Sequence, residues 1–249
     1  MDTSTTTSTD TSITITAIGT MSNASRVSLA RLLQLVSPTL PVGAYSYSQG
    51  LEAALEAGIV RNRETALQWI IDVLNLSVAT LEAPILWRLC GAWLAGDASA
   101  VHRWNGRFLA SRETAELHAE SVQMGYSLRR LIVELELPDR SAIDTLEALD
   151  EIAFPTAFSC VATAMKIDAH DALSGYLWAW CENQVMAVVK ALPLGQTDGQ
   201  RLLFALGERT AAVAADVASL PDDAIANFTP GLAILSSRHE TQYSRLFRS

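Results

Sequence analysis

The chain has 249 residues, 49% of them hydrophobic, enough to bury a substantial core in one large domain or two small ones. Its net charge is −9 and its body holds no cluster of lysine or arginine, which excludes the basic face that nucleic-acid phosphates require. Charged residues make up only 18%, below the roughly 25% usual for a soluble domain, a deficit that fits either apolar surface covered by other subunits or simply an alanine-rich helical protein.

Residues 1–25 contain 14 Ser or Thr, with Asp2 and Asp10 as the only charges. Such a segment cannot bury enough apolar surface to offset the entropy of ordering, so it reads as a disordered extension. It lacks the basic start and apolar stretch of a signal peptide, and no apolar run approaches the roughly 18–20 residues that span a bilayer. Neither export nor membrane insertion is expected. Three dispersed cysteines, Cys90, Cys160 and Cys181, fit a reducing compartment, with the cytoplasm as the expected location.

From Arg26 onward the apolar spacing is helical. Leu67, Ile70, Ile71, Leu74, Val78 and Leu81 share one face and predict a helix of about five turns. Similar stripes run through Leu117, Val122, Leu128, Leu131 and Leu135, through Leu173, Leu177 and Trp180, and through Leu202, Leu203, Leu206, Val213 and Val217. Breakers separate them: Ser37-Pro38 to Pro41-Val42-Gly43, Gly58, Gly96-Asp97, Pro138-Asp139, Pro193 to Gly195, and Pro221 to Asp223. The expectation is an all-α protein: a single helical bundle-like domain of about eight to ten helices over residues 26–228. Residues 229–249 read as a non-periodic tail. Its last twelve residues carry three arginines and one glutamate, giving +2 against −11 for the rest, and their aromatic and amide side chains suit a partner-docking segment.

The known catalytic patterns are missing. There is neither GxxxxGK[ST] nor GxGxxG, so no bound nucleotide or other cofactor is expected. His239-Glu240 begins like HExxH, but Tyr243 stands where the second histidine is needed. Ser48 lies in a glycine-flanked turn, yet Ser46 occupies the position a nucleophile elbow gives to glycine. His102, His118, His170 and His239 are scattered, which weighs against a metal site. Asn183 and Gln184 interrupt an apolar helix and must find partners, either in a neighbouring helix or, with Glu182 and Lys190, in another protein.

Three ordered blocks resemble the urease accessory protein UreF family. Ser37-Pro38-Thr39-Leu40-Pro41-Val42-Gly43-Ala44-Tyr45-Ser46-Tyr47-Ser48-Gln49-Gly50-Leu51-Glu52 is similar to its SPxLPxGxxxYSxGLE signature. Lys190 to Gln196, with Gly199-Gln200-Arg201, is similar to its KxxPLGQxxGQR turn, and the third block is the tail RHETQYSRLFRS. The chain departs from the family at Ala153-Phe154-Pro155, where a histidine usually precedes the proline, and at Tyr126, where an arginine is common.

The resemblance implies an all-helical, dimeric, non-enzymatic protein. It would bind UreD (UreH in some systems), recruit the GTPase UreG, and help deliver nickel to apo-urease. It points to a partner-binding set in the tail: Arg238, His239, Glu240, Gln242, Tyr243, Arg245, Leu246, Phe247 and Arg248. The first block adds Pro41, Gly43, Tyr45, Tyr47, Ser48, Gly50 and Glu52, and the second adds Lys190, Gln196 and Arg201. Two alternatives accompany this expectation: direct regulation of UreG hydrolysis, and a nickel-binding metallochaperone, against which the scarcity of clustered imidazole and thiolate ligands weighs.

Overall fold

A computed structural model describes residues 22–249. Among the described residues every regular element is helical. The helices are α1 (Asn23–Leu35), α2 (Leu51–Glu56), α3 (Arg63–Val73), α4 (Ala83–Ala95), α5 (Ala98–Ala110), α6 (Ala115–Glu134), α7 (Arg140–Glu147), α8 (Phe154–Ala164), α9 (Ala169–Ala191), α10 (Gln196–Val217) and α11 (Pro230–His239). A π-helical stretch, Leu74–Glu82, joins α3 to α4, so the two form one rod, Arg63–Ala95, and the described chain makes ten rods. That meets the expected number and the all-α class.

The expectation for residues 1–25 lies mostly outside the described residues. Asn23 to Ser25, however, already form the first turn of α1, where the Ser22 side chain accepts from the Ser25 amide. Five later helices start as the local chemistry dictates: Asn62, Asp97, Thr114, Asp139 and Asp168 each accept a first-turn amide at an N-terminus. The Arg63–Ala95 rod is long and apolar enough to cross a bilayer by length and composition, which the sequence reading did not foresee; 61% of its apolar window is buried inside the bundle.

Helix α9 is central and packs on α10, α4, α2, α1 and α8. Beside it Phe154, Phe158 and Tyr176 form an aromatic cluster with ring centroids 5.0–5.9 Å apart. Helix α6 approaches the chain before α8 so closely that a Cβ on Gly125 would lie 2.0 Å from the Ile152 carbonyl oxygen. Asn105 of α5 clamps the same segment, accepting from the Ala153 amide at 3.0 Å and donating to the Glu151 carbonyl at 2.9 Å.

The π stretch has a visible cause. Pro84 has no N–H to offer the carbonyl four residues back, that of Thr80. The Ala226 amide, just before α11, donates to Thr80 instead at 3.1 Å. The connection from α10 to α11 thus docks on the rod where its ladder is interrupted, and Arg107 holds it further by donating to the Ile225 carbonyl at 2.6 Å.

The tail departs from its sequence reading. Residues 230–239 form helix α11, and only the last ten residues are irregular. Leu232, Leu235, Ser236 and His239 are its buried face, spaced as a helix requires, but two of the four are polar. Ser236 meets the Thr114 hydroxyl at 2.8 Å, which satisfies both groups.

Candidate partner-docking site

The first block and the tail, far apart in sequence, lie against each other. The first block turns through left-handed backbone at Gly43 (φ 79°) and again at Gln49 (φ 54°) and Gly50 (φ 78°), just before α2 begins. Gly50 is required twice over, because its φ favours glycine and a Cβ would come within 2.9 Å of Leu232 in α11. Gln49 tolerates the strain because both ends of its amide are held: Nε2 donates to Glu120 at 2.7 Å, and Oε1 accepts from Trp180 at 2.7 Å. The turn leaves Glu52 inside the protein, facing the tail.

Glu52 is the centre of the seam. One of its oxygens accepts from the Leu246 amide at 2.7 Å; the other accepts from the Phe247 amide at 2.9 Å and faces His239 Nε2 at 3.0 Å. The other ring nitrogen of His239 faces Glu116 at 2.7 Å, and Glu116 also accepts from Arg245 at 2.8 Å. His239 is fully buried, and both its nitrogens meet carboxylate oxygens. Glu116 joins the buried ring to Arg245, whose side chain is partly exposed.

Beyond Glu52 the contact is made by backbone. Arg248 N–H donates to the Ser46 carbonyl at 2.7 Å, and Ser48 N–H donates to the Ser249 carbonyl at 2.7 Å. The Ser48 hydroxyl donates to the same carbonyl and accepts from the Glu52 amide, while Ser249 Oγ donates to Glu120 at 2.8 Å. Burial pushes the Glu120 carboxyl from its usual 4.5 up to about 7, partly opposed by the hydrogen bonds from Gln49 and Ser249. Burial also raises the Tyr47 phenol, against the effect of nearby Arg248.

The second block reaches the seam with one residue. Lys190 Nζ donates to the Leu246 carbonyl at 3.3 Å and stands 4.4 Å from the Phe247 ring centroid. Gln196 and Arg201 lie elsewhere, at the start of α10, where Arg201 and Arg63 both pair with Asp198. Asn183 and Gln184 point into the fold: Asn183 donates to the Tyr47 carbonyl at 3.1 Å, and Gln184 is 1% exposed beside Gln49.

The structure therefore divides the partner-binding set drawn from the resemblance. Tyr47, Ser48, Gly50, Glu52, His239 and Phe247 are buried and join the two segments to each other. Pro41, Tyr45, Lys190, Arg238, Glu240, Tyr243, Arg245, Leu246 and Arg248 are exposed, and Gly43 and Gln242 are half-buried. Tyr243 is completely exposed, at 105%. A buried frame holds a rim of arginine and aromatic side chains, the residue types that anchor protein interfaces.

Sequence reasoning missed Gln49, Glu116, Glu120 and Trp180. One signal pointed to Glu120: with Leu117, Ser121, Met124 and Leu128 it occupies a single helical face, where a carboxylate among apolar residues demands an explanation. Among the described residues no three of His, Cys, Asp or Glu gather as a metal site would need.

The UreF family model matches residues 60–207. The chain is 59% identical to the urease accessory protein UreF of Azoarcus sp. (strain BH72), over 89% of this chain and 95% of that protein. It is 54% identical to the protein of that name from Dechloromonas aromatica (strain RCB) and 53% identical to the one from Janthinobacterium sp. (strain Marseille). Those matches cover 89% of this chain and 97% and 98% of the relatives.

Proposed function

The chain belongs to the UreF family of urease accessory proteins, and on that premise we propose that it is a non-enzymatic adaptor of urease maturation. In this reading it pairs with UreD/UreH, recruits the GTPase UreG to apo-urease, and so serves the delivery of nickel, the cargo, to the urease active site. It acts in the cytoplasm and as a homodimer, whose interface covers part of the exposed apolar surface that includes Phe204 and Phe228.

The observation that carries this reading is the seam. A terminal segment that needed only to be tidy could end in solvent; this one is fastened by buried Glu52, His239 and Phe247, while Tyr243, Leu246 and Arg248 stay exposed. Exposed aromatic and arginine groups on a pre-ordered frame bind at low entropic cost. Tyr45, 72% exposed, extends the same rim from the first block.

The test is co-purification with cognate UreD/UreH, comparing the full chain with Tyr243→Ala and with Tyr45→Ala. Neither exposed ring packs in the core, so circular dichroism should be unchanged. Binding should weaken by about 2 kcal/mol for a central hot spot. Unaltered affinity in both variants would remove the rim from the interface.

A further inference from the structure

Next to the seam a cavity of about 180 Å³ opens between the 37–45 loop and α9. Its walls are largely apolar and include five aromatic side chains inside, Phe108, Phe154, Phe158, Tyr176 and Trp180, with exposed Tyr45 at the rim. Three carboxylates line it, Glu82, Glu120 and Glu182, against a single cation, Arg112. Glu82 is aimed there by the end of the π stretch.

Arg112 is engaged through one nitrogen only, and its buried Nε and Nη2 have no partner among the described residues. Its Nη1 lies 3.4 Å from Glu82, and its guanidinium carbon stands 4.3 Å from the Phe108 ring centroid. The Tyr176 hydroxyl donates to the other Glu82 oxygen. Glu120 is held by neutral groups only, Gln49 and Ser249, with Arg112 a minor influence. Glu182 is raised by burial alone. The cavity thus contains two carboxylates whose charge no ion pair among the described residues balances, between aromatic faces that attract cations.

We propose that this cavity binds an organic cation, an ammonium or guanidinium on a slender apolar stem, with its head held by the unbalanced carboxylates and its stem against the aromatic walls. A metal ion fits poorly: the lining offers no imidazole or thiolate, and apolar walls cannot replace a hydration shell. An anion could reach the two free donors of Arg112 but would meet three carboxylates around them. The same cationic head could arrive on a free amine or on a lysine or arginine side chain of a bound protein. The proposal rests on the cavity and is independent of the adaptor role.

The experiment is titration calorimetry of the full chain with butylguanidinium, butyrate, 1-butanol and N-acetyl-arginine amide, in two buffers of different ionisation enthalpy. Butylguanidinium should bind with Kd on the order of 1 mM, and butyrate and 1-butanol about tenfold more weakly or not at all. Protons should be released on binding at about pH 6 to 7 and no longer above about pH 8, because a cation beside Glu120 favours its ionised form and the acid has already lost its proton at higher pH. Glu182→Gln, on a half-buried side chain outside the seam, should weaken the guanidinium about threefold without altering the fold. An arginine amide that binds at least as well as butylguanidinium identifies a polypeptide source; a weaker one identifies a free amine. Equal binding of 1-butanol, or no cation binding up to about ten times the expected Kd, would overturn the proposal.

Discussion

His239 and Glu52, 187 residues apart, face each other at 3.0 Å inside the protein, and Glu116 closes the imidazole from its other side at 2.7 Å. Removing the ring from this sandwich takes one partner from buried Glu52 and one from half-buried Glu116. His239→Ala should therefore cost about 3 kcal/mol, read as a lower urea midpoint. Trypsin should also cut faster at exposed Arg238, since the tail loses its anchor. Wild-type cleavage kinetics would sink this account of the seam.

Glu120 gives the seam a pH dependence with a definite sign. Its folded proton affinity is raised, from a usual value of 4.5 to about 7, so the folded chain keeps a proton that the unfolded chain loses. The group does not affect stability below the lower value, destabilises progressively between the two, and is fully unfavourable above the higher. Across that window the loss is about 3 kcal/mol. Glu120→Gln should remove it, so the variant gains on the wild type between about pH 5 and about pH 8. Parallel urea midpoints at the two values would show that Glu82, Arg112 and the tail donors do not leave the acid burdened by burial.

Ending the chain at Ser237 should unfold more than a tail. A non-periodic tail could be lost without harm to the core, but this cut removes buried Phe247 and His239 and leaves Glu52 without its partners. A loss of about 4 kcal/mol, the usual scale for deleting a buried aromatic, is expected in chemical denaturation. A truncated chain as stable as the full one would restore the view of residues 238–249 as a pure appendage.

Gly125→Ala should be costly although its helix favours alanine. The added methyl would sit 2.0 Å from a backbone carbonyl that Asn105 keeps in place through the neighbouring amide and carbonyl groups. A destabilisation of about 2 kcal/mol is expected by thermal or urea unfolding. A neutral result would mean that the 150–153 segment yields easily.

What the sequence revealed and concealed follows from how polar groups are buried. Ile70, Leu74, Val78 and Leu81 were legible because all four are apolar and on one face, and all are buried as expected. In α6 the buried face includes Glu120, Ser121 and Gly125, so hydropathy favoured the partly exposed Val122, Leu131 and Leu135 instead. Helix α11 was invisible for the same reason, since Ser236 and His239 occupy positions where a stripe needs apolar groups. The blocks marked which segments matter. They could not say that these segments fasten to each other, because that depends on Glu116 and Glu120, in a helix outside all three blocks.

The distance in sequence between the two sides of the seam also fixes an order of events. Ser48 binds Ser249 across 201 residues, and the Thr80 carbonyl that receives Ala226 becomes available only where Pro84 interrupts the rod. Every such contact must wait until the intervening helices have shortened the loop to be closed. The seam therefore couples distant parts of the fold: the exposed side chains of the tail stand in place only where α2, α6 and α11 beneath them are folded.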